Sequence, residues 1–404
     1  MHNYKIYQLV LILSPFVFSF AFGLDIYIPI VPQMTEIFDT SAAMVHLTLS
    51  LFLFTTGVGQ LLIGPLADQI GRKPTFYLST LCYAFGSMGC AYSSTIEWMI
   101  MARLISSFGA CGMLVTSFAL VRDLYSSEQS GIIYSFLNGA IGISPTFAPI
   151  IGGHLATAFG WESIFYFLAC IGLVAFCITG IYIKETHPVA QRIKMDRAVF
   201  HRYLEIFTHP QFLIFALIAG LGEAVFFCFF SISPFIIIEL LGVPTPEFGY
   251  YFAVFGSVIG LGGLTSGKLI EKWGIHTTIK LGIVLLLLGG VSMILWHAIA
   301  ALSLAGFLIP MAVACMGAMF LVGSSASACL EPFGLIAGTA SAAFGATQFS
   351  ISAIGGAILM LFPINSTVPY GISIILMALL SMLLFGQRYR IDAIEPTQAV
   401  GESG

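Results

Sequence analysis

The sequence predicts an all-α membrane protein in which twelve transmembrane helices form two six-helix pseudo-repeats, with both termini in the cytoplasm. Composition is the first observation behind this prediction. Of the 404 residues, 58% are hydrophobic and 8% are charged, whereas soluble domains carry roughly 25% charged residues. So few charged side chains cannot cover a surface that faces water, and we expect lipid to be the main solvent. The other two observations are long apolar runs and an internal repeat.

The apolar runs are long enough to cross a bilayer, which takes about 20 mostly apolar residues in a helix. Helices are expected because a spanning segment must satisfy its backbone polar groups within the lipid. The run that follows Lys5 is too long for a cleaved signal peptide, so we expect it to be retained as the first span. The predicted spans cover residues 8–32, 43–66, 75–93, 97–121, 131–157, 162–183, 211–239, 248–269, 279–298, 302–327, 334–362 and 368–386.

Basic residues predict the orientation of these spans. The chain has 15 Lys and Arg residues, and all except Arg103 lie at connections on one side of the predicted membrane. Basic connections stay on the cytoplasmic side, which places both termini there. Arg103 lies within the fourth span instead, so it is a candidate functional residue.

A repeat relates the two halves of the chain. The stretch GPLADQIGRKPT at 64–75 resembles GKLIEKWGIHTT at 267–278, and each copy lies between the second and third spans of its half. Parallel repeats of this kind are typical of transporters that bind substrate between the halves, near the middle of the membrane. The predicted units are an N-terminal six-helix bundle at 1–183, a cytoplasmic linker at 184–210, a C-terminal six-helix bundle at 211–388 and a cytoplasmic tail at 389–404.

Composition and missing motifs disfavour several classes of protein. A net charge of −4 argues against a nucleic-acid partner. The eight cysteines form no CxxC pair, and we expect neither a disulfide framework nor a metal site. No P-loop, HExxH or GxSxG motif is present, so the sequence favours neither an ATP-driven pump nor an intramembrane enzyme. We expect a monomer surrounded by lipid, because one chain holds both halves.

Charged residues concentrate in the stretch GPLADQIGRKP, on the predicted cytoplasmic side. Gly64 and Gly71 are expected to allow a close helix approach and a tight turn. We predict that Asp68 and Arg72 join Asp123 in a conformational latch, which holds the two halves together in one state and releases them in the other. The alternative is a turn that only sets orientation, with its charges solvated.

The same stretch resembles motif A of the major facilitator superfamily. RLISSFGACGM at 103–113 resembles its motif B, and APIIGG at 148–153 resembles the antiporter motif C, with Ala148 in place of the usual Gly. LDIYIPIVP at 24–32 is similar to the first helix of twelve-span drug:proton antiporters. LTLSLF and VRDLY resemble the bicyclomycin/chloramphenicol-resistance (Bcr/CflA) subfamily, nearest its chloramphenicol and florfenicol exporters.

This resemblance implies the major facilitator fold and export driven by the proton gradient, without a bound cofactor. It associates Pro149, Gly152 and Gly153 with antiport, and the two glycines are expected to bring the fifth span close to its neighbour in the other half. We predict a proton-coupled antiporter that exports a small, partly apolar compound, such as an amphenicol-like drug, by alternating access. The alternatives are export of an endogenous metabolite such as a siderophore, and proton-coupled uptake by a symporter.

Two carboxylates lie inside predicted spans, where an acid costs roughly 2.5–3.5 kcal/mol on insertion scales and is a functional candidate by default. Asp25 of the first span and Arg103 of the fourth lie at a similar depth, so we expect them to pair across a cavity. The alternative is that each side chain extends to the outer headgroups. The resemblance implies that this Asp and this Arg take part in proton coupling.

Glu223, the second carboxylate, lies near the middle of the seventh span. Phe227 and Phe230 follow at i+4 and i+7, so one helix face carries an acid and two aromatic rings that suit an apolar or cationic molecule. A neutral Glu223 in a structural hydrogen bond is the alternative. We predict proton coupling by Asp25, Arg103 and Glu223, and substrate contacts from Asp25, Arg103, Asn138, Glu223, Phe227, Phe230 and Gln348.

Overall fold

Helices make up nearly all of the structure. The computed structural model describes residues 5–187, 197–300 and 302–399, and no β-strand occurs in those ranges. The predicted all-α class is therefore confirmed, although residues 188–196 of the predicted linker and 400–404 of the predicted tail lie outside the described ranges. The helices are α1 (Ile6–Asp25), α2 (Val31–Ile37), α3 (Ala42–Ile70), α4 (Arg72–Ala91), α5 (Ile96–Leu124), α6 (Ser127–Phe159), α7 (Glu162–Ile181), α8 (Arg197–Thr208), α9 (Pro210–Pro234), α10 (Thr245–Ala300), α11 (Leu304–Leu330), α12 (Ala337–Leu359) and α13 (Val368–Ala399).

Hydroxyl side chains set the starts of four long helices. Ser41, Thr95, Ser126 and Ser303 each precede a helix, and each side-chain oxygen accepts a hydrogen bond from the backbone N–H three residues later. The first N–H groups of a helix have no partner within it, and a Ser or Thr cap satisfies one of them. These caps fix the starts of α3, α5, α6 and α11.

α1 ends at Asp25, inside the first predicted span, and a 3₁₀ turn at Ile28–Ile30 leads into α2. Pro29 and Pro32 lie in this segment. A proline has no N–H to donate and disfavours helical backbone in the residue before it, so the continuous helix predicted over 8–32 is interrupted. The interruption leaves carbonyl oxygens in the last turn of α1 available to other donors.

α10 contains the predicted eighth and ninth spans in 56 residues, with non-helical backbone at Gly274 (φ 79°, ψ 166°). At about 1.5 Å per residue its length is about 84 Å, far more than the roughly 30 Å of a hydrocarbon core. Gly71, the matching glycine of the N-terminal repeat, has φ 102° and ψ 163°. Glycine alone adopts this region readily. The two copies of the repeated stretch therefore share a backbone turn.

Nine helical segments among the described residues are long and apolar enough to cross a membrane. They include the segment Ile6–Ile37, the segment Pro210–Leu240 and the whole of α10. α4 and α6 are predicted spans that are not among these nine, and both pack between other helices: α4 on α5 and α7, α6 on α1 and α10. The chain is a multi-pass membrane protein, as its composition predicts.

α8 lies within the predicted linker and contacts both halves of the chain. Its Ile206 is buried, and the Tyr203 hydroxyl donates to the Leu61 carbonyl of α3 at 3.4 Å. α8 also packs against α12. Burial raises the pKa of Tyr203 to about 12, so its hydroxyl remains a donor at neutral pH.

α6 of the N-terminal half and α10 of the C-terminal half approach closely along only part of their length. Toward the C-terminal end of α6 and the N-terminal end of α10, a β-carbon added at Gly249 of α10 would lie 2.6 Å from the Ile150 Cα of α6. Toward the N-terminal end of α6, a β-carbon added at Gly139 of α6 or Gly260 of α10 would meet no heavy atom within 4 Å among the described residues. The α6–α10 interface is thus closely packed at the end that holds Ile150 and Gly249 and open at the end that holds Gly139 and Gly260.

The halves also meet on the opposite side of the molecule. Gly57 of α3 lies against Phe349 of α12, with an added β-carbon 3.0 Å from the Phe349 Cβ. The rings of Phe20 and Phe349 stack with their centroids 5.5 Å apart. His46 of α3 and Ser231 of α9 form a buried hydrogen bond. In this state, contacts between the halves therefore lie on both sides of the protein.

Candidate functional site

Asp25 lies where α1 ends, and its side chain is turned toward α6. Only 3% of its surface is exposed. The Ser144 hydroxyl of α6 donates a hydrogen bond to Asp25 Oδ2 at 2.7 Å, and Ser144 is itself buried. A hydroxyl that donates to a carboxylate stabilises its charged form without introducing a second charge. α1 and α6 are thus joined at this acid.

Arg103 of α5 is buried beside the same end of α1. Its Nη1 donates to the Gly23 carbonyl at 2.7 Å, an acceptor in the last turn of α1. Its Cζ lies 4.4 Å from the centre of the Phe52 ring and 5.0 Å from that of Tyr27. Its Nε and Nη2 have no hydrogen-bond partner among the described residues. Because aromatic faces attract a cation, the guanidinium is held in place while two of its nitrogens remain free to donate.

The expected ion pair between Asp25 and Arg103 is not formed in this structure. Asp25 and Arg103 are both among the described residues, and neither makes an ion pair there. The Gly23 carbonyl accepts from the guanidinium, while Ser144 supplies the donor to the acid. The alternative expectation, in which both side chains extend to the headgroups, is not met either, because both are buried. The acid and the cation therefore lie at the same turn of α1 with different partners.

α6 is packed against the end of α1 at two points on one face. Ser144 contacts Asp25, and eight residues later a β-carbon added at Gly152 would collide with the Ile26 carbonyl oxygen. Eight residues are about two turns of helix, so the two positions lie on the same side. This face of α6 holds the segment that carries the acid.

Gly153, the next residue, points to the other half of the chain. A β-carbon added there would lie 2.9 Å from the Thr245 carbonyl oxygen of α10. The prediction that both motif C glycines approach the other half is therefore right for Gly153 and wrong for Gly152. Successive residues of a helix point about 100° apart, because 3.6 residues fill a turn. Pro149 lies inside α6, which continues as a helix through it.

Gly152→Ala is expected to reduce both stability and export, because the added methyl group meets a backbone oxygen that cannot turn away. Overpacking of this kind costs about 1–3 kcal/mol. Gly139→Ala is the matched control, since it lies in the same helix, meets no heavy atom within 4 Å among the described residues and removes a poor helix former. Thermal unfolding in detergent measures both variants. Equal stability of the Gly152→Ala and Gly139→Ala variants would contradict the close packing of α6 on α1.

Glu223 of α9 accepts a hydrogen bond from Gln348 Nε2 of α12 at 3.0 Å, so two predicted substrate contacts meet. Phe227 and Phe230 are buried in the helix packing. Phe227 lies beside the His46 ring, and Phe230 joins an aromatic cluster of α9 and α10. The predicted face of one acid and two rings is therefore divided: the acid reaches α12, while the rings fill the core.

Two other predicted residues lie in open surroundings. Asn138 is exposed in the N-terminal part of α6, and its contact with a substrate stays a prediction. A β-carbon added at Gly64 would meet no heavy atom within 4 Å among the described residues, so the close helix approach expected there is wrong. The buried side of α3 at this level is that of Ile63 and Ala67, and Gly64 lies off that side.

The predicted charges at the cytoplasmic turn do come together. Arg72 Nη1 lies 2.7 Å from Asp68 Oδ1, and Arg72 Nε donates to Asp123 Oδ2 at 2.8 Å. Burial lowers the pKa of Arg72, but the Asp123 and Asp68 carboxylates together raise it by more, so its pKa lies above the ordinary value. The turn at Gly71 lets Arg72 reach both carboxylates. We call these three charged residues, Asp68, Arg72 and Asp123, the Arg72 charge cluster.

The Arg72 charge cluster joins α3, α4 and α5 of one half, whereas the predicted latch would join the two halves. Glu185, which sequence analysis missed, completes it by accepting the backbone N–H groups of Arg72 at 2.9 Å and Lys73 at 3.3 Å. A carboxylate satisfies free donors at a helix N-terminus and is favoured by the helix dipole. Contact with the other half comes instead from Arg122, whose guanidinium lies over Gly338 at the start of α12.

Arg72→Gln is expected to destabilise the protein by about 1–3 kcal/mol, because two carboxylates lose their charged partner and one of them is largely buried. Lys73→Gln is the matched control: its Nζ makes a long contact, 3.4 Å from the Gly180 carbonyl, lies 5.8 Å from the centre of the Tyr77 ring, and bridges no carboxylates among the ion pairs of this cluster. Chemical or thermal unfolding of the purified variants compares them. If Arg72→Gln lowers the free energy of unfolding no more than Lys73→Gln does, the cluster contributes little to stability.

Comparisons with known proteins agree with this architecture. The sequence profile of the Major Facilitator Superfamily matches residues 13–358. A chloramphenicol resistance protein of Pseudomonas aeruginosa is 31% identical over 91% of this chain and 87% of its own length. A bicyclomycin resistance protein homolog of Haemophilus influenzae is 28% identical over 86% of this chain and 87% of its own length. The multidrug resistance protein MdtL of Shewanella oneidensis is 29% identical, covering 82% of this chain and 83% of its own.

A solved structure supports the fold. A bacterial homolog of the human lysosomal transporter Spinster, crystallised in an inward-facing and unoccupied conformation, matches with a TM-score of 0.73 over 96% of both chains, at 13% identity. The family consists of transporters rather than enzymes. The chain therefore belongs to the major facilitator superfamily, as a multi-pass protein of the bacterial inner membrane related to drug-resistance proteins.

Proposed function

We propose that this protein is a proton-coupled antiporter that exports a small, partly apolar compound by alternating access. The observation that carries the proposal is Asp25, a carboxyl group buried at the interruption of a membrane helix, with a hydroxyl donor on it and a guanidinium beside the same turn. An ionisable group at such a position is costly and is commonly part of a proton or substrate pathway. The drug-resistance relatives support export as the direction of transport.

The proposal includes twelve spans with both termini in the cytoplasm. α10 supplies two spans, divided at Gly274. α4 and α6 supply spans that are less apolar; α4 packs on α5 and α7, and α6 packs on α1 and α10. The N-terminal half then contains α1 and α3 to α7, and the C-terminal half contains α9 to α13. α8 belongs to the linker between them, consistent with the boundaries predicted from the sequence.

Alternating access couples the acid to the substrate. Open to the outside, Asp25 takes up a proton and the substrate leaves; open to the cytoplasm, it gives up the proton and the substrate enters. Ser144 holds the ionised carboxylate, and Arg103 supplies a positive charge beside it. A proton that crosses an assumed potential of about 150 mV provides about 3.5 kcal/mol. This sustains a gradient of roughly 300-fold for a neutral substrate.

We infer a neutral, amphenicol-like substrate with an apolar body and hydrogen-bonding groups. Arg103 has two buried nitrogens without a hydrogen-bond partner among the described residues, in the N-terminal half, and the Glu223–Gln348 pair offers donors and acceptors in the C-terminal half. The named relative with 31% identity is a chloramphenicol resistance protein, which supports this class. Asn138, Phe227 and Phe230 remain predicted substrate contacts.

Expression in a pump-deficient bacterium tests the proposed substrate class. The protein should raise the minimum inhibitory concentration of amphenicols above that of cells carrying the Asp25→Asn variant. The panel includes bicyclomycin, unrelated antibiotics and a measurement of secreted metabolites, siderophores among them. Secretion without resistance would favour an exporter of an endogenous compound. A protein that confers no resistance and increases the secretion of no metabolite would contradict export.

A further inference from the structure

We propose that Ser144 is a positioning residue through which the protonation state of Asp25 acts on the interface between the two halves. The inference rests on the proposed proton antiport and deepens it by naming how the acid reaches the moving interface. Ser144 lies outside the set of residues that the sequence singles out, and its role follows from the position of α6 between α1 and α10.

The contact between Ser144 and Asp25 is short and buried. The hydroxyl oxygen lies 2.7 Å from Asp25 Oδ2, and the two residues are 1% and 3% exposed. Arg103 of α5, the charged side chain beside this end of α1, donates to the Gly23 carbonyl instead. The hydrogen bond that the acid accepts therefore comes from α6.

The other side of α6 forms the closely packed part of the α6–α10 interface. Ile150 lies against Gly249, and Thr146 lies against Gly256, with no room for a β-carbon at either glycine. Both residues are within six positions of Ser144, on a continuous helix. A displacement of α6 relative to α1 must therefore change its contact with α10.

Protonation changes the hydrogen bond that holds α6 to α1. An ionised carboxylate only accepts, so Ser144 donates to it in a charge-assisted bond. A protonated carboxyl has its own O–H, and the bond becomes one between neutral groups, which is weaker. The proton is exchanged with water on the side to which the site is open, so no other reactant is needed. α6 is thus held more firmly by the deprotonated acid.

Reconstituted variants test this role with two assays in proteoliposomes. Substrate counterflow requires binding and movement of the halves but no net proton flux, whereas uphill transport is driven by an imposed pH gradient. We expect the counterflow rate of Ser144→Ala to stay within about threefold of that of the unchanged protein. Its rate of gradient-driven transport should fall by about tenfold or more. Ser144→Cys, with a poorer donor of similar size, should show the same division, and Ser144→Thr should recover driven transport. Ser135→Ala is the matched control, because this exposed α6 hydroxyl donates only to its own helix at Gly131.

The outcomes separate the inference from the proposed function. If Ser144→Ala and Ser144→Cys leave both assays unchanged, or lower both equally, Ser144 does not link the acid to the interface. If Asp25→Asn still drives uphill transport, the proposed antiport itself fails. If Asp25→Asn is inactive in the driven assay while both Ser144 variants are normal, only the role of Ser144 is overturned.

Discussion

Asp25→Asn is expected to abolish uphill export while leaving substrate binding within about threefold of the unchanged protein. Asn has nearly the same shape and its carbonyl oxygen can accept from Ser144, but it cannot take up or release a proton. Transport would then only equilibrate the substrate, and the concentration ratio should fall from roughly 300-fold toward one. Accumulation in energised inside-out vesicles measures the ratio, and binding to the purified protein measures the affinity.

Asp39→Asn is the matched control for this experiment. Asp39 is exposed between α2 and α3, with a positive φ of 45°, and Asn tolerates that conformation as well as Asp does. Its accumulation ratio should equal that of the unchanged protein. An Asp25→Asn variant that reaches the same ratio as Asp39→Asn would remove Asp25 from the coupling mechanism.

Arg103→Lys should lower export by about 100-fold, although the formal charge is kept. Arg103 places a planar guanidinium between the Phe52 and Tyr27 rings and donates to Gly23 with one nitrogen. A lysine ammonium has no plane to stack and carries a tighter hydration shell. A 100-fold loss corresponds to about 2.8 kcal/mol. We attribute it to the lost stacking on the two rings and to the lost guanidinium donors. Initial rates of drug efflux from loaded cells measure it.

Arg202→Lys provides the comparison for a basic residue outside this site. Arg202 is exposed on α8, where either side chain remains solvated, and we expect efflux close to that of the unchanged protein. Both variants should be compared at equal amounts in the membrane. If Arg103→Lys exports as fast as Arg202→Lys, the buried guanidinium is not needed for transport.

The helical class and the repeat could be predicted because both depend on properties of local sequence. Apolar runs of bilayer length have few alternatives to a helix, and the glycines matched between the repeats, Gly71 and Gly274, share one backbone region. The interruption after Asp25 was not predicted, although Pro29 and Pro32 carried the signal. Hydrophobicity alone extended the predicted first span through Pro29 to Pro32.

Partners in the site were harder to predict than its members. Asp25 and Arg103 stand out because charge is rare inside a span, whereas Ser144 and Glu185 have no such signal: serine is common in helices, and an acid after a span is an ordinary loop residue. The face to which Gly152 points depends on helix rotation, which its motif does not specify. The direction of a side chain between three or four helices is set by packing that the sequence does not display.

The most direct test of proton antiport is the movement of protons that a substrate gradient drives. Proteoliposomes containing the protein and a pH-sensitive dye are given an amphenicol gradient with no initial pH difference. The account predicts that protons move opposite to the drug and that Asp25→Asn abolishes the signal. Protons that move in the same direction as the drug would show a symporter and contradict the account.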